Sequence, residues 1–418
     1  MIRRSIASVV DQALLSGLNF FIGIYLIANV PKESYGLYVQ LFAAGVLICG
    51  TLDALIANAI ANFKTRMDDE GVLVRTGKAQ FLGRLLGGGL ALLSGLLAYW
   101  LQPDATGLWD RYGLVLFFVI YVVALVFRDF KRVILYLSQQ SVLALRLDIL
   151  FLALAVAGGW GAHFYAKVSL PFVFAILAMA NFLAAMLTPG AVKYQGRVGF
   201  SDVRDIFWEC WAVTRWALPG LALGWLGNSM YLYAAGYLLG LEATAELGAS
   251  RLLLMPVTLL MMAWQQMARP DIARLIQEGH RSAFFPFLGK SAGLILSLVM
   301  GYFFVAYLFF DYISTLLSTD KYEHFYGLLT IWSVYVMVYS IKFMGTIVMV
   351  GFGDFLTLLK MNMGSLALQA VLLFSLPSRF GIQAVVYCLI ASEVLELVVI
   401  WGRLLPARLK TLKPSAVM

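Results

Sequence analysis

Apolar residues run through this chain in long blocks, separated by short polar segments that hold most of the charges. Many blocks reach eighteen residues or more, which a helix needs to cross about 30 Å of hydrocarbon at about 1.5 Å per residue. They predict spans near 6–30, 35–62, 79–101, 112–130, 144–162, 167–188, 214–240, 244–268, 285–310, 323–351, 355–376 and 381–404. Arg128, Asp129, Lys131 and Arg132 punctuate the fourth and fifth. Arg3 and Arg4 precede an apolar run that continues to Val30, too long for a cleaved signal peptide. The expected fold is an all-α integral membrane protein of about twelve transmembrane helices.

Composition agrees. Hydrophobic residues make up 61% of the 418 and charged residues 13%, against about half and about a quarter in soluble domains. The net charge of +8 does not signal a nucleic-acid partner, because the Lys and Arg fall in short loops between spans. With the N-terminus inside, basic residues favour one side several-fold, loop after loop, so both termini are expected to be cytoplasmic. Cys49, Cys210 and Cys388 are scattered without CxxC spacing and read as small hydrophobes. His163, His280 and His324 are equally dispersed. Neither a metal site nor a catalytic triad is expected.

The longest loop lies near 189–213, at mid-chain. There Phe200, Val203, Phe207, Cys210 and Trp211 recur at helical spacing behind Ser201, a candidate N-cap. This predicts an amphipathic helix on the inner membrane surface, tethering two halves. A shift of 212 residues superposes 25–41 on 237–253, matching Tyr25 with Tyr237, Leu26 with Leu238, Gly36 with Gly248 and Leu41 with Leu253. The expected organisation is a six-helix bundle over 1–188, a linker over 189–213, and a second six-helix bundle with a short basic tail over 214–418. An even number of spans per half makes them parallel pseudo-symmetric repeats around a central cavity, suited to alternating access.

The stretch Gln12-Ala-Leu-Leu-Ser-Gly-Leu-Asn-Phe, followed by Pro31-Lys-Glu-Ser-Tyr-Gly-Leu-Tyr, resembles the opening of the Wzx-type polysaccharide flippases of the MATE-like (MOP) superfamily. Leu218-Pro219, Gly240, Gly248, Pro256, Gln266 and Pro270 resemble that family's seventh and eighth helices. Ala28-Asn29-Val30 and Glu242–Ala245 depart from its pattern. The resemblance implies transfer of an undecaprenyl-diphosphate-linked oligosaccharide, an O-antigen or exopolysaccharide repeat unit, to the outer leaflet. It also implies polymerase or export proteins as partners besides membrane lipids. Such a cargo needs a polar cavity, cations for its phosphates and a lateral opening for its tail.

Ionisable groups inside spans are costly and hence candidates for function. Arg251 leads, because a guanidinium forks onto phosphate oxygens; its alternative is snorkelling to the outer interface. Lys342 and Lys360 join it as cationic candidates, with Arg146 and Arg215 at the starts of their spans. Glu393 and Glu396 share a helix face, and Glu396 matches Lys342 in depth, so a buried ion pair is the competing expectation. Asp53, with Gln265 at the equivalent place in the second half, and Asp11 and Asn19 are polar candidates for lining a cavity or coupling to a proton or Na+. Asp148 follows Arg146 by two residues, off its face, so each needs another partner. Trp216, Trp225, Tyr231, Tyr233 and Tyr237 offer rings for sugars or for packing. A cation-coupled multidrug exporter is the alternative within transport. A polysaccharide polymerase or ligase is the alternative outside it, disfavoured by the lack of a large external loop; a Walker A sequence is also lacking.

Overall fold

The computed structural model describes residues 2–66, 69–100, 108–138, 140–165, 168–189, 199–279, 281–316 and 321–411. Every regular element among them is helical. In the first part of the chain these are α1 (Ile2–Asn29), α2 (Lys32–Leu52), a π-helical turn (Asp53–Ala57), α3 (Asn58–Arg66), α4 (Asp69–Trp100), α5 (Leu108–Leu137), α6 (Ser141–Tyr165), α7 (Leu170–Leu187) and α8 (Phe200–Thr214). There follow α9 (Ala217–Leu239), α10 (Leu241–Leu252), α11 (Met255–Gln277), α12 (Arg281–Leu308), α13 (Phe310–Leu316), α14 (Phe325–Gly351), α15 (Phe355–Ser375), α16 (Pro377–Phe380), α17 (Ile382–Val399), a second π-helical turn (Ile400–Leu404) and α18 (Leu405–Thr411).

All twelve spans expected from hydropathy fall on helices. Among the described residues, nine helices are long and apolar enough to cross a membrane, and α10 with α11, bent by 50°, makes a tenth. The helices at the first and seventh spans are α1 and α9. Neither of these two is among the nine, and the architecture is that of an all-α multi-pass membrane protein.

The chain packs as two units, each discontinuous in sequence. The first comprises Met1–Ile22 and Leu37–Trp225, the second Gly23–Gly36 and Leu226–Met418. The turn between α1 and α2 therefore packs with the C-terminal half, and residues 214–225 with the N-terminal half, unlike the simple division at 188 and 214.

In the first unit α5 packs against α4 and α7, around the rings of Phe118, Tyr121 and Phe174. The charges of α5 do not end the helix, as the sequence implied, but lie within the apolar stretch Tyr112–Leu137. They are tolerated because they find partners. Arg132 Nε is 2.8 Å from fully buried Asp148, and Arg128, buried over the Phe151 ring, lies 3.9 Å from the same carboxylate. Lys131 donates to the carbonyls of Ala185 and Thr188, closing the end of α7. Arg128, Lys131 and Arg132 are thus paired groups inside the fold rather than free loop cations.

The mid-chain helix also differs from expectation. Its N-cap is Gly199, whose N–H donates to Asp202 at 2.9 Å, and Ser201 lies inside α8. An aspartate three residues past the cap reaches back to that N–H, which sets the cap two residues before Ser201. The helix is docked within its unit: Lys78 meets Asp202 at 2.6 Å, Arg75 meets Glu209 at 2.8 Å, and the Thr214 hydroxyl donates to the Leu55 carbonyl. The Lys78 ammonium holds the Asp202 carboxyl below the usual carboxylate range. Val203, Ile206 and Cys210 form the buried face. Burial pushes the Cys210 thiol up to about 12, so this cysteine acts as a hydrophobe. The linker residues 190–198 lie outside the described residues.

In the second unit α14 is the central helix, packed against α10, α11, α12 and α17. Without a hydrophobic drive between helices in lipid, close backbone approach carries much of the cohesion. Gly36 makes one such approach: a Cβ there would stand 2.0 Å from the Leu241 carbonyl oxygen. Gly240, at φ +91°, breaks the chain between α9 and α10 in a conformation that side chains disfavour.

Candidate functional site

Arg251 occupies the last turn of α10, one residue before the break that bends the chain into α11. A helix C-terminus presents unpaired carbonyls and a partial negative charge, so a cation is favoured there. The guanidinium donates to the Asn228 carbonyl at 2.9 Å and to the Tyr231 hydroxyl at 2.8 Å, both from α9. Its carbon lies 5.3 Å from the Tyr231 ring. Both acceptors are neutral oxygens, so they orient the fork without cancelling its charge. In low dielectric such a charge attracts an anion strongly.

From Tyr231 a chain of rings continues along α14. Tyr231 meets Trp332 edge-on at 6.0 Å, Trp332 meets Tyr335 at 5.1 Å, Tyr335 stacks on Tyr339 at 6.0 Å, and Tyr339 stacks on Phe343 at 5.7 Å. Trp332 is fully buried and pinned by donation of its indole N–H to Ser250 at 3.0 Å. Tyr335, Tyr339 and Phe343 are only half-buried, so ring surface remains open. Their spacing of three or four residues puts them on one helix face.

Lys342 lies at the far end of this face, 5.1 Å from the Tyr339 ring. It binds Glu393 at 2.9 Å and Glu396 at 3.1 Å, both on α17. The ion pair expected from matching depths therefore forms, with both carboxylates. One cation against two acids gives the trio a formal charge of −1, so Lys342 supplies no uncompensated positive charge, contrary to a purely cationic role. Lys360 is exposed on α15, outside this cluster, as are Arg146 on α6 and Arg215, which stacks 5.4 Å from the Trp216 ring. These three suit the membrane interface, where long basic side chains reach polar headgroups.

In the first unit Asp53 opens the π-helical turn and is exposed, with Asp129 and Arg132 as its charged neighbours. Asn19 is half-buried on α1. The side chain of Asp11 lies outside the described residues. Gln265, half-buried on α11 of the second unit, faces Arg269 one turn on. Among the described residues, no three His, Cys, Asp or Glu side chains converge to hold a metal ion.

Two features are not evident from sequence reasoning. The ring series Trp332, Tyr335, Tyr339 and Phe343 has a three-four-four spacing that could have revealed it, but the denser aromatics of α9 draw the eye first. The second is buried Glu246 of α10, which binds Lys32 at 2.6 Å and His324 Nδ1 at 3.0 Å. No local spacing announces partners so far apart in sequence.

No protein-family model and no curated protein matches the sequence. Solved structures do match the fold. One, described as the inward-facing conformation of a multidrug resistance MATE family transporter of the MOP superfamily, aligns with TM-score 0.74 and 16% identity over 96% of each chain. An outward-facing conformation of such a transporter aligns with TM-score 0.64 and 15% identity, over 99% of this chain and 96% of that one. A MOP superfamily transporter from Pyrococcus furiosus, described as having a binding pocket of reverse polarity that suggests a different function, aligns at 0.63 and 15%, over 98% and 96%. The fold is that of MOP-superfamily transporters.

Proposed function

We propose that this protein is a flippase that carries an undecaprenyl-diphosphate-linked oligosaccharide across the bacterial inner membrane by alternating access, with both termini cytoplasmic. The observation that carries the reading is Arg251: a guanidinium in a membrane-spanning unit, aimed by Asn228 and Tyr231 and facing a run of open aromatic rings. A diphosphate supplies the missing counter-charge through bidentate bonds. Sugar faces suit the rings of Tyr335 and Tyr339, whose apolar surfaces pack on C–H groups while their hydroxyls stay polar. Membrane lipids and polysaccharide polymerase or export proteins are the partners this activity calls for.

Lys342, held by Glu393 and Glu396, favours a second reading. Its net acidic charge beside aromatic surface suits an organic cation, as a cation-coupled multidrug exporter requires. A proton or Na+ could enter the same trio to drive either transport.

Reconstituted protein separates the two. Liposomes holding fluorescent lipid-linked oligosaccharide should show protein-dependent transfer between leaflets, lost in Arg251→Ala and partly kept in Arg251→Lys. Full transfer by Arg251→Ala removes the phosphate role. Export of a cationic dye with no movement of the lipid selects the exporter.

A further inference from the structure

The first unit carries an apolar groove that the Arg251 site does not explain. A cavity of about 400 Å³ lies between α4 and α5, lined by Leu92, Leu96, Tyr99, Tyr112, Leu116 and Val119 among others. Leu92, Leu96, Tyr112 and Leu116 are exposed, so the groove is open along its length. Tyr99 and Tyr112, with ring centroids 5.7 Å apart, close one end. Both helices here belong to stretches apolar enough to cross a bilayer, Val74–Leu97 and Tyr112–Leu137.

Toward the start of α4 the apolar strip continues. A Cβ on Gly89 would meet nothing within 4 Å, and Leu85 is exposed. The strip ends at Arg84, whose guanidinium rests 4.5 Å from the Phe127 ring of α5. Among the described residues, no acid forms an ion pair with it. From Arg84 to Tyr99 the helix rises about 22 Å. A cation at one end of a long greasy trough fits a ligand with an anionic head and one long apolar chain. A phospholipid anchored at Arg84 covers about 15 Å, half the hydrocarbon core, and stops short of the tyrosines. A polyprenyl chain runs the full length.

Resting on the flippase reading for the cargo's class, we infer that the α4–α5 groove binds the polyprenyl chain of a lipid-linked substrate, with Arg84 meeting its phosphate. This site is separate from the Arg251 site and lies wholly within the first unit.

The test uses full-length protein in liposomes with a photoactivatable polyprenyl diphosphate. Labelled peptides are expected from 85–97 and 112–127, competed by unlabelled polyprenyl phosphate and not by excess phosphatidylglycerol. Arg84→Gln should lower labelling about tenfold, the loss of one charge-assisted contact. Leu96→Trp, and separately Leu116→Trp, should fill the exposed trough and displace the label while the protein remains folded by its thermal midpoint. Equal competition by phosphatidylglycerol, or labelling unchanged in both Trp variants, overturns the proposal. The two readings fail separately: groove labelling without transfer of lipid-linked oligosaccharide defeats the flippase alone, whereas Arg251-dependent transfer with label elsewhere defeats the groove alone.

Discussion

The Lys32 ammonium and the Glu246 carboxylate lie 2.6 Å apart although 214 residues separate them in sequence. The same carboxylate accepts the backbone N–H of His324 at 3.2 Å and touches its Nδ1 at 3.0 Å. Glu246 thereby fastens the α1–α2 turn and the start of α14 to α10. Its side chain is 4% exposed and that of Lys32 16%. The assignment of residues 23–36 to the C-terminal unit follows from such contacts, together with donation from Lys321 to the Val30 carbonyl at 3.0 Å.

Removing one partner from a buried pair leaves the other charge without compensation, at about 3–5 kcal/mol. Glu246→Ala should lower the thermal midpoint in detergent markedly, and Lys32→Ala somewhat less because that ammonium is better exposed. The double substitution Lys32→Ala with Glu246→Ala should cost less than the sum of the two single losses. Additive losses in this cycle would mean that the two charges do not interact.

The rings of α14 make a separate prediction about binding. If Tyr339 stacks on sugar, Tyr339→Ala should weaken cargo binding by about 2–10-fold, corresponding to about 0.5–1.5 kcal/mol for a stacked ring. Tyr339→Phe should retain most affinity. The readout is the apparent KM for lipid-linked oligosaccharide transfer, with expression and thermal midpoint as controls. Equal loss in the Ala and Phe variants would assign the effect to the hydroxyl and remove the stacking role.

Gly36 offers a test of packing that is independent of transport. A Cβ would collide with the Leu241 backbone, which cannot rotate away as a side chain can. Gly36→Ala should therefore cost at least about 1–3 kcal/mol, the range for overpacked sites. Gly289 on α12 has open space out to 4 Å around the place a methyl group would take, so Gly289→Ala is the matched control and should fold normally. Unfolding midpoints of the two variants check the difference.

Most helices were legible in the sequence because a bilayer imposes length and apolarity on its spans, as in the second and the twelfth alike. The Lys342–Glu396 pair was legible for a related reason: depth along helices can be counted. Asp148 was legible only in part. Its offset from Arg146 demanded another partner, but nothing local pointed to Arg132. The extension of α5 through four charged residues was hidden because hydropathy treats a charge as solvated, whereas Asp148, Ala185 and Thr188 meet those charges inside the fold. Glu246 stayed unread for the same reason. Its partners come from two distant turns, and His324 looks isolated until the chain is folded.

At the other end of the second unit, Asp354 couples the tail to the α14–α15 turn. Its Oδ2 accepts from Arg408 Nε at 2.7 Å and lies 2.6 Å from Nη2, while Oδ1 accepts from the Thr357 hydroxyl at 2.7 Å. The Thr357 hydrogen bond, then Arg408, hold this carboxyl below the usual range. A depressed folded value means that the charged form is favoured in the docked state, so docking is strengthened above the free value of about 3.9. As pH falls below about 4 and through the folded value, that contribution disappears. Protection factors in Leu405–Thr411, taken against the intrinsic exchange rate at each pH, should therefore stay high at neutral pH and fall on acidification. Asp354→Asn should raise exchange at neutral pH and flatten this acid dependence, because no proton remains to be taken up. A variant with the same acid profile as the parent would transfer the transition to another carboxylate, and Asp354 would be no more than a cap on α15.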